Sequence, residues 1–427
     1  MDDIKKVLIC LYKINNYGGI TTYVEELKRG FSDIGVKCDL ILLGTTDRKP
    51  YVRQHTKRPG SSASNFKGMT CNADTGWGGV TVVSYNSMER IREFHRIANN
   101  YDLVFWCIPV PSWSELPSVP HWRELYNMPK IRQIAAIHDG NFRYLYPHLN
   151  DVAKHLKGVA CVHGAAFASA RMFNGKSAFI PNPHPLLKLQ NTWDDKKKIV
   201  FCSHMWKGWK HMELAVKASP HLKNSRLILG GDGIERRYMT SPTKCPKKYE
   251  GIWVRMIAKK NAKYVNMLSA PEMREYYKKS RVMFDPSFSK NYNNMGSHFN
   301  RSIFEAYNHG VVPVCTKENM QLPGIFKPGL SHLEIKASDS PERIAATLDK
   351  AANLSSEQAS KIIEYGRSLI AKHFRSKKIA KDLIRLSLGK PCGLTESLQE
   401  GKASEGIINS AKQIMRGGRP KSRNLEE

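Results

Sequence analysis

The sequence has no apolar segment long enough to cross a membrane. No run approaches the ~18 residues of a transmembrane helix, and the apolar residues 7–12 are too few for the core of a signal peptide. Internal repeats of solenoid length are absent as well, which excludes stacked-repeat architectures. We therefore expect no stable membrane insertion, and any membrane contact would be peripheral.

The sequence also lacks the cysteine spacing of metal sites and disulfide frameworks. Its 9 cysteines include no C-x-x-C pair, and several fall in predicted core strands. This usage is typical of a reducing compartment inside a cell. We therefore expect a cytoplasmic protein.

Acidic residues are scarce, because 38 Asp and Glu stand against 67 Lys and Arg, for a formal net charge of +29. The basic excess is concentrated in residues 48–67 and 244–263, which interrupt compact α/β units and are expected to project from the fold. Clustered basic residues on projecting segments favour a polyanionic partner, either nucleic acid or an anionic membrane. The candidate contacts are Arg48, Lys49, Arg53, Lys57, Arg58, Lys247, Lys248, Lys259 and Lys260.

The most informative segment is SIFEAYNHGVVPVC, residues 302–315. Its apolar spacing predicts a short helix with one buried face, stopped by Gly310 and followed by a buried parallel strand. The small polar residues before it place the helix N-terminus where free backbone N–H groups can hold phosphate. Glu305, near the start of this helix, is the first candidate ligand-binding residue. The alternative is an ordinary helix with Glu305 in solvent.

A second candidate is Lys207, in the stretch VFCSHMWKGWKHMELAVK of residues 200–217. A strand that ends in a lysine-glycine turn before an amphipathic helix can hold the lysine ammonium against a diphosphate. The alternative is a solvated lysine at a helix start.

Strands and helices over residues 225–233, 261–280 and 281–287 complete the C-terminal half, which resembles the family 4 retaining glycosyltransferases of the GT-B fold. The resemblance covers residues 196–388 well and the N-terminal half more loosely. It implies an α/β protein with two Rossmann-like domains and a cleft between them. We predict an acceptor-side domain over residues 1–185, a nucleotide-sugar domain over 186–390, and a basic flexible tail over 391–427.

The resemblance also implies roles for particular residues. Glu305 would grip the ribose of the nucleotide sugar, and the loop Phe299, Asn300, Arg301 and Ser302 would meet its phosphates. Positive groups would replace a metal, so no cofactor is expected beyond the donor, for which a UDP-sugar is predicted.

This sequence departs from the family pattern at three positions. Ser297 stands where the family has the first of two glutamates, Asn300 replaces a glycine, and Cys202 replaces an arginine. The phosphate contact of that arginine is either lost or supplied by Lys210, His204 or Arg301.

The N-terminal half offers a strand-to-helix turn and a strand end. Gly18 and Gly19 follow the first strand and would let backbone approach the donor, although the full G-x-G-x-x-G spacing is missing. His138 and Asp139 follow another strand at its carboxyl end, where α/β sheets bind ligands. They are the candidate catalytic pair; the alternative is an Asp-Gly turn after a hydrogen-bonded histidine.

A narrower resemblance joins these features in order and approximate spacing, since the sequence is similar to the DNA α-glucosyltransferases of T-even phages. It implies sugar transfer to the hydroxymethyl group of 5-hydroxymethylcytosine or 5-hydroxymethyluracil, with the target base flipped out of double-stranded DNA. We expect a monomer, in the host cytoplasm if a phage encodes it. Two alternatives stay open: a bacterial surface-glycan or lipid glycosyltransferase at the membrane, and a DNA-binding protein on an inactive GT-B scaffold.

Overall fold

The chain forms two parallel β-sheets flanked by helices. The computed structural model of its 427 residues describes residues 4–12, 19–44, 80–108, 110, 120–138, 148–162, 176–204, 210–231, 261–265, 268–288, 300–317 and 325–394. In each sheet the order of the strands reverses at the centre, as in nucleotide-binding folds. The predicted α/β class with two Rossmann-like units is confirmed.

In its described part, the first sheet has the strand order β3-β2-β1-β4-β5-β6-β7. Its central strands are buried on both faces, which explains why they read as continuous apolar runs. Its strands are β1 (Lys6–Leu11), β2 (Lys37–Gly44), β3 (Val80–Ser84), β4 (Leu103–Trp106), β5 (Arg132–Ile137), β6 (Gly158–Cys161) and β7 (Ser177–Phe179). Its helices are α1 (Gly19–Ser32), α2 (Met88–Ala98) and α3 (Leu149–Ala153), with a 3₁₀ turn over Trp122–Tyr126.

The second sheet has the strand order β10-β9-β8-β11-β12-β13 in its described part. Its strands are β8 (Lys197–Ser203), β9 (Arg226–Gly230), β10 (Ala262–Tyr264), β11 (Ser280–Asp285), β12 (Val312–Thr316) and β13 (Leu333–Ile335). The helices that follow are α4 (Met212–Ala218), α5 (Ala270–Lys279), α6 (Arg301–Asn308), α7 (Pro341–Ala352), α8 (Ser356–Leu369) and α9 (Ser376–Ser387). Short helical turns occupy Ser219–His221 and Ile370–Phe374.

Local sequence signals fix several of these helix ends. Ser269 and Glu272 form a reciprocal capping box at the start of α5, so two free N–H groups are satisfied. Gly310 lies at φ +65 after α6, where a residue with a Cβ would be strained. The predicted helix, glycine stop and buried strand over residues 302–315 are therefore confirmed.

The last helix returns to the first domain. Residues of α9 are buried against α1, β5 and β6, and Ser376 Oγ donates to Glu26 Oε2 at 2.7 Å. A Cβ on Gly30 would lie 2.2 Å from the backbone oxygen of Ser376, so this approach requires glycine. The two sheets lie on either side of the predicted boundary at residue 185, but α9, predicted with the second domain, packs on the first.

Two chain segments cross between the domains side by side. His184 N donates to Phe374 O at 2.7 Å, and the two segments pair again between His184 and Arg375. The His184 ring also stacks on Phe304 of α6, with ring centroids 4.0 Å apart. Within the described residues, no helix has the length and apolar character to cross a membrane.

Candidate active site

The candidate site lies at the centre of the second sheet, where the strand order reverses. There β8 and β11 are neighbours, and their carboxyl ends carry His204 and Asp285. Helix α6 begins at the same edge, after Asn300. Parallel α/β sheets bind ligands in the crevice outside such a reversal.

A buried carboxylate organises this edge. Asp285 has no exposed surface, and its Oδ2 accepts from Asn300 Nδ2 at 2.7 Å and from Ser302 Oγ at 3.1 Å. Its Oδ1 accepts from the backbone N–H of Ser287 at 3.1 Å. Lys210 Nζ donates to Asn300 Oδ1 at 2.7 Å. The carboxylate thus ties the end of β11 to the start of α6 and, through Asn300, to a lysine.

The charge state of this cluster follows from burial and from its neighbours. Burial alone would raise the pKa of Asp285, but His204, Lys210 and the hydrogen bonds from Ser287 and Asn300 outweigh it and lower the pKa to about 2. Burial lowers the pKa of His204 to about 4, although its Nε2 lies only 3.4 Å from Asp285 Oδ1. His204 is therefore neutral at neutral pH, and Lys210 is the counter-ion of the carboxylate.

The first turn of α6 presents Arg301 and Glu305 on one face. Arg301 Nε donates to Glu305 Oε1 at 2.7 Å, and both side chains are partly exposed. The side chain of Asn300 does not cap the helix, because it is bound to Asp285 and Lys210. Uncapped N–H groups, the helix dipole and a guanidinium together favour an anion at this helix start.

The first domain faces this helix through α1. Partial burial raises the pKa of Glu25 on α1, while the charge of Arg301 acts in the opposite direction. The two side chains therefore interact electrostatically across the domains. The cleft between the domains therefore has α1 on one side and the start of α6 on the other.

His138 follows β5 on the first-domain side. The Tyr23 ring meets its imidazole edge-on at 4.7 Å, and Cys107 Sγ lies 3.7 Å from its Nε2. Burial lowers the pKa of His138 to about 4. The imidazole is therefore neutral at neutral pH.

Residues 196–353 match the family model described as glycosyl transferases, group 1. This part of the chain is similar to the group 1 glycosyltransferases. It contains the whole Asp285 cluster and helix α6. No curated protein matches the sequence.

Solved structures of GT-B glycosyltransferases are similar over nearly the whole chain. Anabaena HepE bound to UDP and glucose has a TM-score of 0.62 at 12% identity, covering 89% of this chain and 98% of that one. An α-glucosyltransferase bound to UDP-glucose and to DNA containing an abasic site has a TM-score of 0.63 at 12% identity, covering 90% and 99%. A point mutant of S. aureus TarM, bound to Fondaparinux, alpha-GlcNAc-glycerol and UDP, has a TM-score of 0.61 at 11% identity, covering 90% and 100%. At these identities the likeness establishes the GT-B fold.

The structure brings part of the predicted site together. Asn300, Arg301, Ser302 and Glu305 share the first turns of α6, and Gly19 begins α1. His138 lies across the cleft, and its assignment as a catalytic residue stays a prediction. Other predicted site residues fall outside the described residues: Gly18, Asp139, Lys207, Phe299, Arg48, Lys49, Arg53, Lys57, Arg58, Lys247, Lys248, Lys259 and Lys260.

The part of the chain that matches the family model departs from the family pattern in a way that the structure explains. Cys202, at the position of the missing arginine, is fully buried and its Sγ donates to Met212 Sδ at 3.6 Å, so it has no access to a ligand. Among the described residues, Lys210 brings a cation to this edge, where its Nζ donates to Asn300. Sequence reasoning missed Asp285; the available signal was an acidic residue ending the apolar strand RVMFD.

The described part of the site combines positive charge with a partly exposed carboxylate. Lys210 and Arg301 supply positive charge, and Glu305 supplies acceptor oxygens beside them. Within the described ranges, no group of three or more His, Cys, Asp or Glu side chains is placed to hold a metal ion. The geometry suits a ligand that carries both phosphates and hydroxyls.

Proposed function

We propose that the protein is a retaining glycosyltransferase that moves a hexose from a UDP-sugar to the hydroxymethyl group of a modified pyrimidine in double-stranded DNA. The observation that carries the donor half is the uncapped start of α6, with Arg301 on its first turn and Lys210 behind it. The acceptor half is supported by the basic excess of 67 against 38 residues.

On the donor side, the diphosphate would lie against the N-terminus of α6. Backbone N–H groups and Arg301 would neutralise the charge that grows on the leaving phosphate as the glycosidic bond breaks. Lys207, predicted from the sequence, would add a second cation. Glu305 would accept the ribose hydroxyls, and its ion pair with Arg301 fixes the carboxylate before the donor binds.

On the acceptor side, His138 suits hydrogen bonding better than proton transfer. A group with a pKa of about 4 is a weak base at neutral pH. We therefore assign the proton of the attacking hydroxyl to a phosphate oxygen of the donor or to Asp139. His138 would orient the sugar, and closure of the cleft would exclude water from the reacting bond.

The choice of DNA as acceptor rests on charge and on one class of neighbour. α-Glucosyltransferases bound to UDP and to DNA containing a HMU base are among the similar structures, with TM-scores of 0.62 and 0.60. HepE and TarM match about as well. The molecules bound in these two structures include no DNA, so the structural likeness does not select the acceptor. A surface-glycan or lipid acceptor is the second candidate, and an inactive DNA-binding scaffold is the third.

A transfer assay separates the three. The protein is incubated with radiolabelled UDP-glucose and with duplexes that differ only in carrying cytosine, 5-hydroxymethylcytosine or 5-hydroxymethyluracil. We expect label only in the hydroxymethylated DNA. Label in a glycan or lipid extract but not in DNA would select the second candidate, and DNA binding without any transfer would select the third.

A further inference from the structure

A basic groove lies on the first domain, at the edge of the sheet opposite the candidate active site. Its volume is about 880 Å³. The walls are the residues that enter β5, β6 and β7, together with the chain that leaves α9. Because β5 is six residues long, the groove lies roughly 20 Å from the strand ends at the cleft.

Positive charge in the groove is not balanced by acids. The lining includes five basic residues and no Asp or Glu, and the basic residues are Lys130, Arg132, Lys157, Lys176 and Lys390. In the part of the chain that the structure describes, Lys130, Arg132, Lys157 and Lys390 have no carboxylate partner. A concave surface of one charge sign concentrates its field and attracts the opposite charge.

Three of the cations stand at the amino ends of adjacent strands. Lys157 N donates to Gln133 O at 2.7 Å, and Val159 N donates to Lys176 O at 3.0 Å. Arg132, Lys157 and Lys176 therefore lie on three adjacent strands, with Arg132 and Lys176 on one face of the sheet and Lys157 on the other. Since neighbouring strands lie about 4.8 Å apart, the three positions span about 10 Å across the sheet. All three line the same groove, so their charges surround a polyanion bound there.

We propose that this basic groove binds the phosphodiester backbone of nucleic acid, as a second contact remote from sugar transfer. The proposal rests on the proposed function only in taking DNA as the acceptor. This second contact would bind the DNA backbone away from the target base. The affinity for long duplexes would then not depend on the modified pyrimidine alone.

The lining argues against a membrane as the occupant. Its large apolar side chains, such as Ile131 and Leu386, are buried in the core. Peripheral membrane segments combine basic residues with exposed apolar groups that insert among the lipids. A groove with exposed lysines and buried apolar residues suits a polymer of phosphates.

The chain that leaves α9 is anchored on the first domain. Leu394 N donates to Phe179 O at 2.8 Å, which anchors the chain beside β7. The sequence that follows contains five basic residues and no acid between residues 412 and 423. Clustered basic residues of this kind favour a polyanionic partner.

The test is the salt dependence of binding to unmodified duplex DNA, measured by fluorescence anisotropy without donor. The groove variant combines Lys130→Gln, Lys157→Gln and Lys390→Gln. The matched control combines Lys223→Gln, Lys336→Gln and Lys350→Gln, which removes three exposed charges from the second domain. In the groove variant we expect the logarithmic salt slope to fall by about 2.7, at roughly 0.9 per lost phosphate contact. In the control the slope should fall by less than about 0.9, the value of one contact.

The outcomes separate this proposal from the proposed function. An unchanged slope in the groove variant overturns the groove, even if the enzyme transfers sugar to hydroxymethylated DNA. A reduced slope supports the groove, even if no transfer to DNA is found. Loss of binding to phosphatidylserine vesicles, with DNA binding intact, would assign the groove to membranes and overturn the proposal.

Discussion

The carboxyl ends of the two sheets differ in the charge of their described side chains. At the second sheet, the buried Asp285 carboxylate, Lys210 and Asn300 form a hydrogen-bonded ionic cluster. At the first sheet, His138 is neutral and lies among Tyr23 and Cys107. The difference indicates that charged groups organise the strand ends of the second sheet, while the described groups around His138 are uncharged.

The largest expected effect comes from removing the charge that organises the ionic side. In Asp285→Asn, the nearly buried ammonium of Lys210, 8% exposed, loses its counter-ion. We expect the free energy of unfolding to fall by about 3–5 kcal/mol, measured by denaturant unfolding.

A double variant tests the cause of that loss. Adding Lys210→Met removes the unpaired charge, so Asp285→Asn/Lys210→Met should recover most of the stability but not the affinity for the UDP-sugar. If Asp285→Asn has the same free energy of unfolding as wild type, the Asp285 carboxylate does not stabilise this edge of the sheet.

The next effect concerns the ligand side of the same helix. Glu305→Ala should weaken UDP-sugar binding and lower turnover on the order of 100-fold, because the hydrogen bonds to the ribose are lost. Steady-state kinetics with varied donor measures both changes. The control is Glu357→Ala, which removes an exposed carboxylate paired with Lys361 at 2.6 Å; it should act as wild type. Unchanged kinetics in Glu305→Ala would remove the residue from the donor site.

The pH dependence of stability tests whether His138, in the first domain, is buried as a neutral imidazole. The pKa of His138 is about 4 in the native state, against an ordinary value of 6.5. Between these values the unfolded chain binds the proton and the native chain does not. Stability should therefore fall as pH drops from 6.5 towards 4, by at most ~3 kcal/mol for this group.

Unfolding of wild type and His138→Gln at about pH 7 and about pH 5 measures that contribution. The variant should lose less stability on acidification, and an equal loss in both proteins would contradict the burial of a neutral imidazole. His204, whose pKa is also about 4, adds to the slope in both proteins equally.

The smallest expected effect is that of a chelator. Because cations and backbone donors are proposed to neutralise the diphosphate, transfer should persist in excess EDTA. Activity abolished by EDTA and restored by manganese would mean that the ionic side of the cleft depends on a metal.

The helix and strand beside the Asp285 cluster could be predicted because their sequence signals are local. The helix period over residues 303–307, the glycine stop and the following apolar strand are contiguous, so α6 and β12 were readable from the sequence. The contact of Lys210 with Asn300 joins residues 90 positions apart. Sequence spacing alone did not indicate that contact, because tertiary packing creates it.

The packing of α9 on the first domain could not be predicted from the sequence for a related reason. Its amphipathic pattern predicts a helix with one buried face. It does not state which sheet receives that face, and sequence order placed the helix with the second domain. The close approach at Gly30 was equally unreadable, because many helices contain a glycine with no such neighbour.

The return of α9 has a consequence for how the protein is made. The core of the first domain is completed by residues that leave the ribosome roughly 200 positions after β7, or about 10–40 s later at ordinary rates of synthesis. During that interval the apolar surface that α9 covers, including Ala136 and Ala160, lacks its partner helix. The first domain therefore cannot finish folding before α9 has emerged from the ribosome.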